Sequence, residues 1–172
     1  MTEYVQKLRA AATLSLPGQE PVEGWFALAP QAEFRLGPET LLERLNTRDR
    51  VIPFIRSEDE ATWLVARLGL EWVKAAADLR PALVCPPNYL VTREEWVRVR
   101  FQSGEEVEGL LQMELPETLN RATDFLNGPE DFFPLLGRDG IVLVNKHRVL
   151  ETRLYDRSPR PPSESPRSRP AA

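Results

Sequence analysis

The chain repeats itself, and no other feature of the sequence limits its fold as tightly. Leu45-Asn46 and the later run Val51-Ile52-Pro53-Phe54-Ile55 return as Leu126-Asn127 and Phe132-Phe133-Pro134-Leu135-Leu136, with the Leu-Asn pair the same distance before the proline in both. Upstream, Val22-Glu23-Gly24 with the apolar pair Trp25-Phe26 returns as Val107-Glu108-Gly109 with Leu110-Leu111. Leu14 to Gly18 matches the stretch Val99 to Gly104, and Tyr4-Val5 matches Tyr89-Leu90. Downstream, Trp63-Leu64-Val65 falls over Val142-Leu143-Val144. Matches in one order along most of a chain mark a duplicated supersecondary unit, which has to be recognised before elements are assigned.

Each copy checks the reading of the other. A short strand (about Ala12 to Leu16, and Trp96 to Phe101) runs into a glycine turn, and a second strand follows (about Val22 to Leu28, and Val107 to Glu114), predicting a β-hairpin. Val97, Val99 and Phe101 alternate with Arg98 and Arg100, the period of a half-buried strand with its cations on the other face. A short helix comes next. Leu41, Leu42 and Leu45 follow Gly37-Pro38-Glu39, and Leu119, Ala122 and Leu126 follow Pro116-Glu117-Thr118. Both helices stop at an asparagine, so Asn46 and Asn127 are expected as left-handed C-caps.

A third strand, Val51 to Arg56 or Phe132 to Leu136, carries a proline, which predicts an edge strand or a bulge because proline cannot donate to the ladder. The fourth, Thr62 to Leu68 or Ile141 to Lys146, begins as a continuous apolar run and is expected to be central. A fifth short strand is expected near Glu71 to Lys74 and Val149 to Leu154. The fold class is therefore α+β, mainly β: a tandem duplication of a β-β-α-β-β unit, small-barrel or sandwich-like, with pseudo-two-fold symmetry. The expected boundaries are 1–76 for copy one, 77–88 for a Pro-marked connector, 89–155 for copy two and 156–172 for a tail. That tail, rich in Pro, Ser and Arg, has too little apolar surface to offset its ordering entropy and is expected to be disordered.

Hydrophobic residues make up 42% of the chain, enough for a core. No apolar run approaches the roughly 20 residues that span a bilayer, and the N-terminus has no signal-peptide pattern, so no membrane association and a cytoplasmic location are expected. One cysteine, Cys85, excludes an internal disulfide framework. With a single histidine, His147, beside that single cysteine, a zinc site of the usual kind is excluded and no cofactor is expected. Cys85 reads as a small buried hydrophobe and His147 as a surface loop residue. Neither a Walker A pattern nor G-x-G-x-x-G occurs. Carboxylate pairs such as Glu105-Glu106 and Glu130-Asp131 fall at turns, and Trp25, Phe26, Trp63, Phe132 and Phe133 read as core in preference to a ligand platform. No catalytic residue is nominated, and an enzyme is not expected.

In copy two, Ala122-Thr123-Asp124-Phe125-Leu126-Asn127, then Phe132-Phe133-Pro134-Leu135 and Ile141-Val142-Leu143-Val144-Asn145, resembles uncharacterised small bacterial β-rich domains. In those domains a T/S-D-x-L-N helix end precedes a phenylalanine-rich strand and a Val-Asn strand. Copy one departs from the pattern, with Leu42-Glu43-Arg44 before Leu45-Asn46, and the resemblance implies no activity. In strand count each unit is also similar to Sm-like and SH3-like small barrels, an analogy of fold alone.

Without catalytic chemistry, the expected function is a protein-interaction or regulatory module whose partner is another protein, reached through an exposed face or edge. The alternative is a small-barrel nucleic-acid binder using Arg93, Arg98, Arg100, Lys146, Arg148 and the tail. It needs Arg98 and Arg100 to share a basic face with Lys146, and the net charge of −4 disfavours it. A third reading, a small-molecule sensor with a pocket between the copies, rests on geometry alone.

Overall fold

The computed structural model describes residues 7–116, 118–119 and 121–155; the Tyr4-Val5 match and the tail expected from residue 156 lie outside them. The chain forms β1 (Leu8–Ser15), β2 (Val22–Leu28), α1 (Leu41–Leu45), β3 (Val51–Arg56), β4 (Thr62–Ala66) and β5 (Trp72–Ala75). It continues through β6 (Arg93–Phe101), β7 (Glu106–Met113), α2 (Ala122–Leu126), β8 (Phe132–Gly137), β9 (Gly140–Asn145) and β10 (Val149–Leu154). Single 3-10 turns at Arg67–Gly69 and Lys146–Arg148 join β4 to β5 and β9 to β10. The expected fifth strands are therefore present in both halves.

All ten strands belong to one open antiparallel sheet in the order β10-β6-β7-β8-β9-β5-β1-β2-β3-β4. This continuous sheet replaces the small barrel or sandwich expected from the sequence. The two halves meet where β5 pairs with β9, through Trp72↔Val144, Val73↔Leu143 and Lys74↔Val142. That contact joins the fifth strand of one half to the fourth of the other, whereas a two-fold axis would join like to like. The strand order does not show the expected pseudo-two-fold.

Two positional expectations are corrected by the same order. The proline strands are internal: β3 lies between β2 and β4, and β8 between β7 and β9. Proline is tolerated because the β2–β3 ladder ends at Phe54 and the β7–β8 ladder at Leu135, each one residue short of it. No N–H is needed there. The edges of the sheet are β4 and β10, so the fourth strand is central only in the second half.

The first two strands of each half form the expected hairpins, closed by Gly18 and Gly104 at positive φ. Gly24 and Gly109 serve a different need. A Cβ on Gly24 would lie 2.1 Å from the Ile55 carbonyl oxygen, and one on Gly109 2.6 Å from that of Leu136, so each lets the second strand approach the third.

Helix α1 begins at Thr40, whose hydroxyl accepts from the Glu43 amide while Glu43 accepts from the Thr40 amide, a capping box. The expected left-handed C-caps are not formed: Asn46 has φ −97° and Asn127 φ −85°. Asn46 serves the junction between the halves instead. Its Nδ2 donates to the Phe132 carbonyl at 3.1 Å, and its Oδ1 accepts from the Phe132 amide at 2.8 Å. Asn127 is exposed.

Two cores flank the junction and exchange residues across it. The first gathers Leu14, Phe26, Leu28, Leu41, Leu45, Ile52, Phe54 and Val73 and takes in Phe132 and Leu143 from the second half. The second gathers Val97, Val99, Phe101, Leu111, Phe133 and Val144 and takes in Trp72 from the first. Leu83 and Val84 of the connector are buried in the first core, and the Val84 carbonyl accepts from the Leu42 amide at 2.9 Å.

Polar groups complete the junction. Asn145 Nδ2, fully buried, donates to the Leu68 and Leu70 carbonyls at 3.0 and 2.7 Å. The buried Arg67 guanidinium donates to the Leu45 carbonyl at 2.9 Å and to Asp131 at 2.7 Å, and Asp131 also meets His147 Nε2 at 2.6 Å. Burial acts to raise the Asp131 pKa, but the hydrogen bonds from Arg67 and His147 outweigh it and hold the carboxyl below its ordinary value. A depressed carboxylate pKa adds stability above the ordinary value, and that stability is lost as pH falls through the depressed one. Asp131→Asn is therefore expected to flatten the loss of stability below about pH 4, measured by urea unfolding across pH. In the same assay Asn46→Ala leaves the Phe132 amide and carbonyl without that partner and should cost about 1–3 kcal/mol. Asn127→Ala, at an exposed position, should cost well under half as much.

Candidate interaction surfaces

The cations nominated from the sequence lie in three separate settings. Arg98 and Arg100 stand on β6 on the face opposite Val97, Val99 and Phe101, as the alternation predicts. Arg98 pairs with Glu108 and lies 3.8 Å from Glu106, both on β7, and Arg100 pairs with Glu151 on β10 at 3.1 Å. Arg153, opposite Arg98 on β10, also pairs with Glu151 at 2.9 Å. Cross-strand pairs of opposite sign interleave the charges on this face. Arg93 falls in the other register of β6 and pairs with Glu95.

Lys146 and Arg148 sit in the turn between β9 and β10. Lys146 Nζ donates to the Phe125 and Gly128 carbonyls at 3.1 and 3.4 Å and lies 5.3 Å from the Phe125 ring centre. Burial lowers its pKa, partly offset by the charges of Glu130 and Asp131. Arg148 Nε donates to the Leu68 carbonyl at 3.1 Å. Arg98 and Arg100 thus face β7 and β10 carboxylates, while Lys146 turns to the end of α2.

The loop between β2 and α1 forms a surface that the sequence did not single out. Phe34 and Leu36 are each 91% exposed. Such exposure of two large apolar side chains is ordinary in a loose loop, but this loop is tied at every step. Arg35, between them, points inward: its Nε and Nη2 donate to the two Glu43 carboxylate oxygens at 2.7 and 2.6 Å. The same guanidinium donates to the Leu36 and Pro38 carbonyls at 3.0 and 2.6 Å. Gln31 Nε2 donates to the Arg35 carbonyl at 2.6 Å, and the Ala32 amide to the Gly37 carbonyl at 2.8 Å, with Gly37 at φ 96°. At the neck, the Glu39 amide donates to the Ala29 carbonyl at 3.0 Å and the Ala29 amide to the Glu39 carboxylate at 2.9 Å.

Glu43 couples this loop to the helix, because its Oε2 also accepts from the Thr40 amide at 2.8 Å and hydroxyl at 2.9 Å. Burial acts to raise its pKa, and the hydrogen bonds from Arg35 and Thr40 prevail and lower it. A bidentate arginine–carboxylate pair fixes geometry as well as distance. It holds Phe34 and Leu36 out on a loop whose ordering entropy is already spent.

A groove of about 420 Å³ opens beside α1 and α2, lined among others by Leu42, Asn46, Tyr89, Leu115, Phe125 and Lys146. It draws on both halves and the connector, where the small-molecule reading would place a pocket. The Tyr89 hydroxyl donates to the Gln112 carbonyl at 2.7 Å, and burial is the first cause of its raised pKa. Cys85 is partly buried, packs against the first core, and has its thiol pushed up by burial to about 11, which leaves it a protonated, poor nucleophile at neutral pH. Of the five aromatics weighed from the sequence, Phe26, Phe132 and Phe133 are buried. Trp25 and Trp63 are partly exposed beneath Arg9 and Arg56, at 4.7 and 5.3 Å. Among the described residues no three His, Cys, Asp or Glu side chains converge as metal ligands, and no helix is long and apolar enough to cross a membrane.

No protein-family model matches the chain, and neither the curated proteins nor the solved structures contain one significantly similar to it.

The loop geometry has a measurable consequence. Arg35→Ala is expected to raise hydrogen exchange across residues 30–38 at least tenfold while exchange in β2 and β3 is unchanged. Because the Glu43 pKa is lowered, the wild-type loop should stay protected above the ordinary carboxylate range and lose protection as pH falls through the depressed value. Exchange followed by mass spectrometry between pH 3 and 7 reads both effects.

Proposed function

We propose that the chain is a non-catalytic protein-interaction module built from a tandem duplication of one β-β-α-β-β unit. The duplication is supported by strand order. Within the sheet the first half runs β5-β1-β2-β3-β4 and the second β10-β6-β7-β8-β9, the same arrangement of fifth, first, second, third and fourth strands. The short helix between second and third strands, the 3-10 turn before the fifth, and the close-approach glycines Gly24 and Gly109 recur in register.

The observation that carries the interaction reading is the pinned loop with Phe34 and Leu36 outward. Aromatic side chains seated in a partner's apolar pocket dominate binding energies, and presenting one on a pre-ordered loop cuts the entropic cost of association. Copy two has no matching Phe-Arg-Leu before α2, and a feature present in one copy is free of the demands that both copies share. The occupant that fits is a protein surface with an apolar pocket flanked by polar groups. The nucleic-acid alternative draws less support, because the β6 cations are matched by carboxylates on β7 and β10 and Lys146 turns to backbone carbonyls.

The test is affinity purification from the source cell with the wild-type chain and with the double variant Phe34→Ser, Leu36→Ser. A stoichiometric partner recovered by the wild type and lost by a variant of unchanged thermal stability is the expected result. Equal recovery by both would transfer the interaction to another surface. Recovery of RNA or DNA in place of protein would favour the alternative.

A further inference from the structure

We infer that the two free edges of the sheet bind each other in trans, so that a second copy of this chain docks head to tail and repeats the junction already present inside the molecule. This rests on the duplication reading above, but not on the Phe34 loop.

Inside the chain, the fifth strand and helix-end asparagine of the first half engage the fourth and third strands of the second. The contact consists of β5 on β9, Asn46 on the Phe132 backbone, and Leu143 packed into the first core. It is heterologous, so it leaves its two complementary surfaces unused at opposite ends of the molecule. Among the described residues nothing pairs with the outer side of β4 or β10.

The exposure pattern shows what is missing there. Leu64 occupies on β4 the place of Leu143 on β9; it is 74% exposed, and Leu143 is fully covered. Val51 stands where Phe132 stands, 49% exposed against 1%. Val65, the neighbour of Leu64 that faces its own core, is buried like its counterpart Val144. Only the face that the first core covers in the other half is bare. At the opposite end Asn127, the counterpart of Asn46, is exposed, and Leu150 and Leu154 are exposed along β10. Docking β10 of one chain on β4 of the next sets Asn127 against the Val51 backbone, Arg153 beside Trp63, and Leu64 against the second core.

Differences between the copies make this contact weaker than the internal one. Ala66 replaces Asn145, so the two carbonyl bonds of the buried amide are lost. Lys146 meets Arg50 where Arg67 meets Asp131 inside the chain, and Glu151 replaces Trp72. The association is therefore reversible and depends on concentration. Charged side chains on an edge strand moderate pairing without abolishing it.

Light scattering on the full chain, eluted over a concentration series, tests the inference. The wild type should rise from the single-chain mass to twice that mass or more. Leu64→Glu blocks one end and Asn127→Arg the other, both at exposed positions, so each variant alone should remain at the single-chain mass. Mixed, the two should form a one-to-one dimer, because each retains the end that the other lacks. The Phe34→Ser, Leu36→Ser chain should assemble like the wild type, which separates this inference from the partner-binding reading. A wild type that keeps the single-chain mass to its solubility limit overturns it. So do single variants that still assemble, and so does a mixture that does not.

Discussion

The molecule depends on one short ladder. Three residue pairs between β5 and β9 join two groups of five strands into a single sheet, and every other feature of the junction acts to keep that ladder in register. A slip of β9 by one residue would turn Leu143 away from the first core and bring Val142 or Val144 into its place. Polar contacts fix the register at the Trp72↔Val144 end of the ladder. Asn145 holds the carbonyls of Leu68 and Leu70 just before β5, and Arg67 spans from the Leu45 carbonyl to Asp131 just before β8. These groups are buried or half-buried, so losing any one partner leaves another unsatisfied. Each half is also too small to bury much surface alone, and exchanging Trp72 for Phe132 and Leu143 enlarges both cores at once.

The polar construction of the junction contrasts with that of the loop after β2. At the junction, polar side chains replace strand contacts that a short ladder cannot make. In the loop, one arginine replaces a core. Arg35 meets four acceptors through a single planar group, which lets a segment with exposed apolar side chains keep one conformation without burying them. The cost falls on Glu43, which serves the arginine and the α1 cap together. Loop order and helix start are thus coupled through one carboxylate.

Much of the fold could be read from the sequence because most elements occur twice. The alternation of Val97, Val99 and Phe101, the glycine turns and the fifth strands all needed only local pattern. What failed was information about neighbours. A proline predicts an edge strand or a bulge, but Pro53 and Pro134 lie where a ladder to one neighbour has already ended, and ladder length is set by tertiary packing. Asn46 reads as a local cap in the sequence because its partner, Phe132, is remote in sequence. The apolar start of β4 suggested a central strand; it matches β9, which is central, while β4 itself has nothing beyond it. The alternation puts Arg98 and Arg100 on the correct face, but the carboxylates opposite them come from β7 and β10, and cross-strand register is not visible in a single strand's pattern. Phe34 and Leu36 carried no signal beyond sitting among Pro30, Gly37 and Pro38, a setting usually read as plain loop.

On the duplication proposed above, where the chain performs its function can be argued from what the two halves do not share. Positions kept in both, such as Gly24 with Gly109 or Pro53 with Pro134, answer demands that the unit makes wherever it occurs. Positions that differ are released from that demand. Two such differences gather polar or apolar character without serving either core: the Phe34-Arg35-Leu36 finger, and Glu151 on β10 in the place of Trp72. The finger is held rigid, which a merely tolerated loop does not require. The β4 edge keeps an exposed leucine where a lysine would guard more effectively against pairing, whereas β10 does carry charges. An edge left apolar opposite an edge moderated by charge favours a contact that forms and dissociates over one that is either permanent or forbidden. The internal junction, locked by Asn145, Arg67 and Asp131, is the permanent version of the same geometry.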